Sequence, residues 1–261
     1  DPKDELWQEY KTYSRHGSFV DGASLFDNKH FGISNNEASG YPISSKWGLE
    51  CGYEAIFKAG WNKKSIQRKK ADVFYGLHST ENQLNNKTEH ASCFSGSAGS
   101  QAGEPNRVSF CLNMMGQSIC YDTDGSSSFS ALWQGQMEQS DDDPNGRNSM
   151  FSLILGSAWN ITPAAFANFC SRRLLTTEGR CFSFDQKATG FVRAESCGAV
   201  VLAPLYQMVQ DMPVIEDTGL GIVRSVELMQ CGKGVTLAAP SGTCMQEVMT
   251  LCVRSGAIQL E

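Results

Sequence analysis

The chain has 261 residues and a mass of 28.5 kDa, enough for one large domain or two modest ones. With 41% hydrophobic and 10% aromatic residues it can bury a substantial core, which excludes wholesale disorder. A net charge of −6 and a pI near 5.3 argue against binding nucleic acid by phosphate neutralisation. No apolar run approaches bilayer-spanning length, so no transmembrane segment is expected.

In chain order, Asp1-Pro2-Lys3-Asp4 carries neither an initiator Met nor a signal-peptide pattern, so a processed chain or a fragment is expected. Trp47 to Lys58 reads as a helix with Leu49, Tyr53, Ile56 and Phe57 on one face and Gly60 as its stop. Ala71 to Leu77 reads as a strand. Ser79 to Pro105, rich in Ser, Asn, Gly and Gln, reads as an irregular connection. Met115 to Asp122 leads into a second strand, and Ser126 to Gln139 into a serine-capped helix. The turn Ser140 to Gly146, with its acidic triplet, reads as solvated. Phe151 to Ser157 and Ser196 to Leu205 are near-continuous apolar runs, expected to be strands buried on both sheet faces. Pro163 to Phe169 is a helix opened by proline. Gly221 to Gln230 is a candidate third strand of that kind, and Met245 to Ser255 an amphipathic helix. The alternation implies an α/β layered fold.

Ten cysteines include Cys111, Cys120, Cys170, Cys231 and Cys252, spaced singly in apolar surroundings without a CxxC pair. They read as small buried hydrophobes in a reducing compartment, cytoplasm or an organelle such as a plastid, and no metal or cofactor is expected. The sequons at Asn86 and Asn160 occur no more often than chance supplies. The basic run Lys63, Lys64, Arg68, Lys69 and Lys70 reads as a solvated face.

The segment Gly116 to Ser128 carries the chemistry: a strand, a tight turn and a serine-rich helix start. Such a junction presents one residue at a helix N-terminus, where backbone N–H groups and the helix dipole favour negative charge. Tyr121-Asp122-Thr123-Asp124-Gly125-Ser126-Ser127-Ser128 resembles the nucleophile elbow D-T-A-C-S-S-S of β-ketoacyl synthases. Further blocks follow in family order. They are Phe26-Asp27 with Phe31-Gly32-Ile33-Ser34 and Glu37-Ala38; Leu49-Glu50 with Glu54-Ala55 and Ala59-Gly60; and Arg107-Val108-Ser109-Phe110. Gly179-Arg180-Cys181 precedes Phe184-Asp185 and Gly190 to Glu195, then Cys197 to Leu202; Gly234 to Gly242 comes last. Before Arg107, Glu104-Pro105-Asn106 reads as an insertion.

The resemblance implies a thiolase-like fold, a layered αβαβα architecture of two similar halves that normally dimerises. It divides the chain into an N-terminal extension (1–23), the N-terminal ketosynthase half (24–210) and the start of the C-terminal half (211–261). It also implies a cysteine that accepts an acyl group from a carrier thioester and two histidines that promote decarboxylation and condensation. Here the nucleophile position is Gly125, flanked by Asp124 and Ser126, and the histidine motifs would lie beyond Glu261. His16, His30, His78 and His90 match neither. No catalytic residue is therefore assigned. Ser126 and Ser128 are alternative hydroxyls without an identifiable base, Cys120 reads as core, and a calcium loop at Asp122 fails its register. Arg193 and Glu195 read as an internal ion pair or cap, and Trp47, Tyr53 and Phe57 as core.

The resemblance implies a catalytically silent subunit acting as a binder or scaffold. The alternatives are an active acyltransferase completed by a partner chain, and a structural subunit of an unrelated assembly. The expected partners are a homo- or heterodimer mate, a chain that completes the fold, or an acyl carrier protein. A chain ending at Glu261 is expected to leave an apolar face in need of cover.

Overall fold

The computed structural model describes residues 11–78, 100–140, 149–209, 212–215, 219–235 and 239–257. The apolar runs form a four-stranded sheet of order β2-β1-β3-β4, with β1 at Asp72–Leu77, β2 at Ser118–Tyr121, β3 at Ser152–Ala158 and β4 at Ser196–Leu202. β1 runs parallel to both β2 and β3, whereas β4 is antiparallel to β3. The three parallel strands deliver their C-terminal ends to one edge, as crossover connections require. Residues 79–99 and 141–148 lie outside the described residues, and with them the Asn86 sequon, His90 and most of the acidic turn.

The described helices are α1 (Asn35–Ser39), α2 (Ile43–Lys58), α3 (Gly103–Leu112), α4 (Ser127–Ser140), α5 (Pro163–Ser171) and α6 (Gly242–Ser255); α2 and α3 cover one face of the sheet and α4 the other. Alternation along β1 and β3 sends Val73, Tyr75, Leu153 and Leu155 to one face. There they pack against Leu49 and Ile56 of α2 and Val108 and Leu112 of α3, all essentially inaccessible. Phe74 and Ile154 point the other way, onto Ala131 of α4. Each such side chain contributes about 1.5–3 kcal/mol on burial, which makes this the stable centre of the chain. A smaller cluster joins Tyr13, Cys170 and Leu175, with the Tyr13 hydroxyl donating to the Leu175 carbonyl at 3.1 Å.

Several expectations are corrected. Phe57 is 61% exposed; the buried face of α2 runs through Ser44, Ser45, Gly48, Leu49, Gly52 and Ile56 instead. β4 is not buried on both faces: it alternates, Ala199 and Val201 packing inward while Val200 is 53% exposed, because it is an edge strand with one uncovered side. Gly221 to Gln230 joins no strand; Ser225 Oγ donates to the Cys252 carbonyl at 2.6 Å and Arg224 Nη2 to the Ala257 carbonyl, so the segment is tied to α6. The end of the expected irregular connection is helical, with Glu104-Pro105-Asn106 forming the first turns of α3, where a missing proline N–H costs nothing. β5 (Tyr206–Val209) pairs antiparallel with β6 (Met212–Ile215) as a separate two-stranded sheet. Cys231 is exposed, while Cys111, Cys120 and Cys252 are half-buried and only Cys170 is fully enclosed among these five.

Candidate functional site

The elbow forms where β2 ends. Asp122 and Thr123 lead into a single 3₁₀ turn, Asp124–Ser126, which runs directly into α4. Asp124 takes a left-handed φ of 55°, an uncommon conformation that Asp tolerates better than most residues. Gly125 follows at the exposed tip, and a Cβ built there would meet no atom within 4 Å. The helix start is held against the sheet by a close approach at two paired glycines, Gly76 of β1 and Gly156 of β3. A Cβ at Gly76 would overlap the Ser127 backbone, and one at Gly156 would lie 2.8 Å from Ser128 Cβ.

The serines are consumed locally. Ser126 Oγ donates to the Thr123 carbonyl at 2.9 Å and lies 3.0 Å from Thr123 Oγ1. Ser127 Oγ accepts the Thr123 N–H and donates to the Asp124 carbonyl. Ser130 Oγ shares a hydrogen with Thr123 Oγ1 at 2.8 Å. These bonds brace the turn, and Ser128 packs toward Gly156. Among the described residues, no hydrogen bond places a base against Ser126 or Ser128.

Beside the turn stands a pair that the sequence did not suggest. Asp122 Oδ1 lies 3.3 Å from His78 Nδ1 and also accepts the Asp124 N–H, while Oδ2 accepts from Gln101 at 3.0 Å. Partial burial opposes the carboxylate charge, but the bonds from Gln101, His78 and Asp124 outweigh it and hold the Asp122 pKa below the usual value. His78 ends up here because it follows the last residue of β1, adjacent to β2 in the sheet. His16 and His30 lie elsewhere: His16 packs against Gly179, and His30 meets Phe31 edge-on and Tyr53 at a tilt.

Cys120 is an unsuitable thiol. Burial, then the Glu104 and Asp122 carboxylates, push its pKa up to about 12, so it stays protonated at neutral pH. Glu195 accepts the backbone N–H groups of Val20 and Asn160, and Arg193 donates to Asn160 while lying over Phe169. Both fasten the segment before β4, in keeping with the cap reading. Trp47 and Tyr53 are partly buried, Trp47 donating to the Ala23 carbonyl. Among the described residues, no group of three or more His, Cys, Asp or Glu could hold a metal ion, and no helix is long and apolar enough to cross a membrane.

The profile of the family "Beta-ketoacyl synthase, N-terminal domain" matches residues 7–208. Orsellinic acid synthase armB of Armillaria mellea is 29% identical over 260 residues, 98% of this chain and 11% of that protein. Polyketide synthase ThaG of Burkholderia thailandensis is 31% identical over 244 residues, 88% of this chain and 4% of that protein. The solved ketosynthase domain OzmH KS7 of the oxazolomycin system of Streptomyces albus superposes with a TM-score of 0.79 at 25% identity, covering 93% of this chain and 42% of that one. The ketosynthase from module 6 of the bacillaene synthase of Bacillus subtilis gives 0.73 at 26% identity, over 92% and 40%. The sheet with helices on both faces is thus the thiolase-like fold. The chain spans about a tenth or less of these two curated relatives and about two fifths of the solved ketosynthases.

Proposed function

We propose, from the premise that this chain belongs to the β-ketoacyl synthase family, that it is a ketosynthase element of the polyketide or fatty acid synthase type whose acyl-accepting site is lost, and that it works as a binding or scaffold subunit. The observation that carries this reading is Gly125: an open, exposed position at the elbow with no side chain to form a thioester. Asp124 reinforces it, because a carboxylate one residue away raises the cost of any thiolate at the helix start. Residues 24–210 would supply the N-terminal half of the ketosynthase and 211–261 the beginning of the second. The partners that suit such an element are a dimer mate and an acyl carrier protein, in a reducing compartment.

A second reading, an acyltransferase completed by a partner chain, draws on the His78–Asp122 pair beside the turn. Incubation with carrier-bound acyl and malonyl thioesters, followed by intact mass, separates the two. The silent reading expects no adduct and no decarboxylation beyond the rate without protein; an acyl adduct anywhere on the chain overturns it. Co-purification with a synthase or carrier protein supports the scaffold role, whereas an unrelated complex would place the chain in a different assembly.

A further inference from the structure

On the sheet face remote from the elbow, α2 packs across β1, β3 and β4. Small residues bring it close to the first two: a Cβ at Gly48 would meet the Tyr75 ring of β1 at 2.9 Å, and one at Gly52 would lie 3.2 Å from Leu153 of β3. Between these two glycines, Cys51 projects onto β4, with its Sγ 3.8 Å from the Cys197 carbonyl oxygen. The two thiols are themselves in hydrogen-bond contact. Cys197 sits opposite Ser157 in the β3–β4 register, and Tyr75, whose hydroxyl lies 3.0 Å from Ser157 Oγ, also bonds the Cys197 thiol. Cys51 is half-buried and open to a reagent, while Cys197 is the more enclosed of the two.

We infer that Cys51 and Cys197 form a dithiol site that takes up oxidised glutathione or another small disulfide and closes to an intramolecular disulfide joining α2 to β4. Cys51 is the attacking thiol. The hydrogen bond from Cys197 lowers its pKa against the opposing burial, whereas Cys197 is pushed up, first by that same bond and then by burial. The Cys51 thiolate attacks one sulfur of oxidised glutathione, forming a mixed disulfide and releasing one glutathione thiolate. Cys197, losing its proton, then attacks the Cys51 sulfur and expels the second. The two thiol protons end on the two glutathiones, so one disulfide is reduced as one forms. The site lies behind the sheet from the elbow and acts independently of acyl chemistry.

The test treats the protein with oxidised glutathione, blocks remaining thiols with iodoacetamide under denaturing conditions, and maps the peptides. The expected result is a Cys51–Cys197 cross-linked peptide, loss of both residues from the alkylated pool, and recovery of both with dithiothreitol. Cys197→Ser should leave Cys51 trapped as its glutathione adduct, and Cys51→Ser should leave Cys197 free. Full alkylation of Cys51 and Cys197 after oxidation would overturn the inference. So would a stable glutathione adduct on Cys51 in the unsubstituted protein, or pairing of Cys51 with any other cysteine. The mapping of the unsubstituted protein decides the matter even if a variant fails to fold.

Discussion

Open space around Gly125 makes the elbow directly testable at the level of one side chain. Gly125→Cys is expected to fold with stability changed by less than about 1 kcal/mol, and to gain an exposed thiol at the start of α4. That thiol should react faster with iodoacetamide than a free cysteine, since the helix N-terminus favours the thiolate. Adding Asp124→Ala should lower its pKa further, by roughly half a unit, the scale of one charge several ångströms away in water; a pH profile of alkylation reads both. Glu104 offers a second test. Glu104 is 2% exposed and its carboxylate accepts from Ser44 and Ser45 Oγ, while Arg107 stacks on Tyr41 and donates to Ser45. Burial raises its pKa despite those bonds and the Arg107 charge. A carboxyl with a raised folded-state pKa adds stability below its unfolded pKa and loses it as pH rises through the folded value. Glu104→Gln should therefore flatten the fall in melting temperature as pH rises from about 4.5 toward neutrality. Ser45→Ala should cost about 1–3 kcal/mol by denaturant titration, because it strips a partner from a buried carboxylate.

At the level of elements, the sheet meets the start of α4 at glycines, while Phe74 and Ile154 pack on Ala131 further along the helix. Gly76, Gly156 and Gly198 align across β1, β3 and β4, yet only the first two lie under the helix start. Gly76→Ala should cost about 1–3 kcal/mol or more and shift the elbow, since the atom it would strike is backbone and cannot rotate away. Gly198→Ala meets nothing and should be neutral or slightly stabilising by the removal of backbone freedom from the unfolded chain. Urea titrations of the two variants side by side check the contrast. The elements that the sequence revealed were those with strong local signatures: the apolar runs of β1 and β3, the proline opening α5, and the serine-rich start of α4. α3 escaped because its first turns hold Gly, Glu and Pro, a composition that reads as loop until Glu104 finds Ser44 and Ser45 some 60 positions earlier. β5 and β6 escaped because Pro213 argues against a strand, although an edge position tolerates it.

Across the whole chain, burial is concentrated and coverage uneven. Every residue of β1 is buried, while Val200 of β4, Phe110 of α3 and Phe129 of α4 are more than half exposed. Apolar surface of this extent on the flanks of the sheet favours association. The isolated chain is accordingly expected to sediment as a species heavier than 28.5 kDa, or to require a partner for solubility. A well-folded monomer of that mass in sedimentation velocity would refute this. Val200→Lys should shift any self-association toward smaller species without lowering the unfolding midpoint, because the side chain faces outward.

By itself the amino-acid sequence determined the α/β class, the position of the elbow and the glycine at its tip, because these depend on residues adjacent in the chain and on apolar periodicity. Only the tertiary structure decided which serines were already committed to bracing the turn. It also decided that His78 would stand beside Asp122, and that Cys51 would reach Cys197 across 146 positions. Those pairings arise where a helix crosses a sheet or two strands end side by side. Such meetings are fixed by the packing of the whole core and leave no mark on local residue spacing.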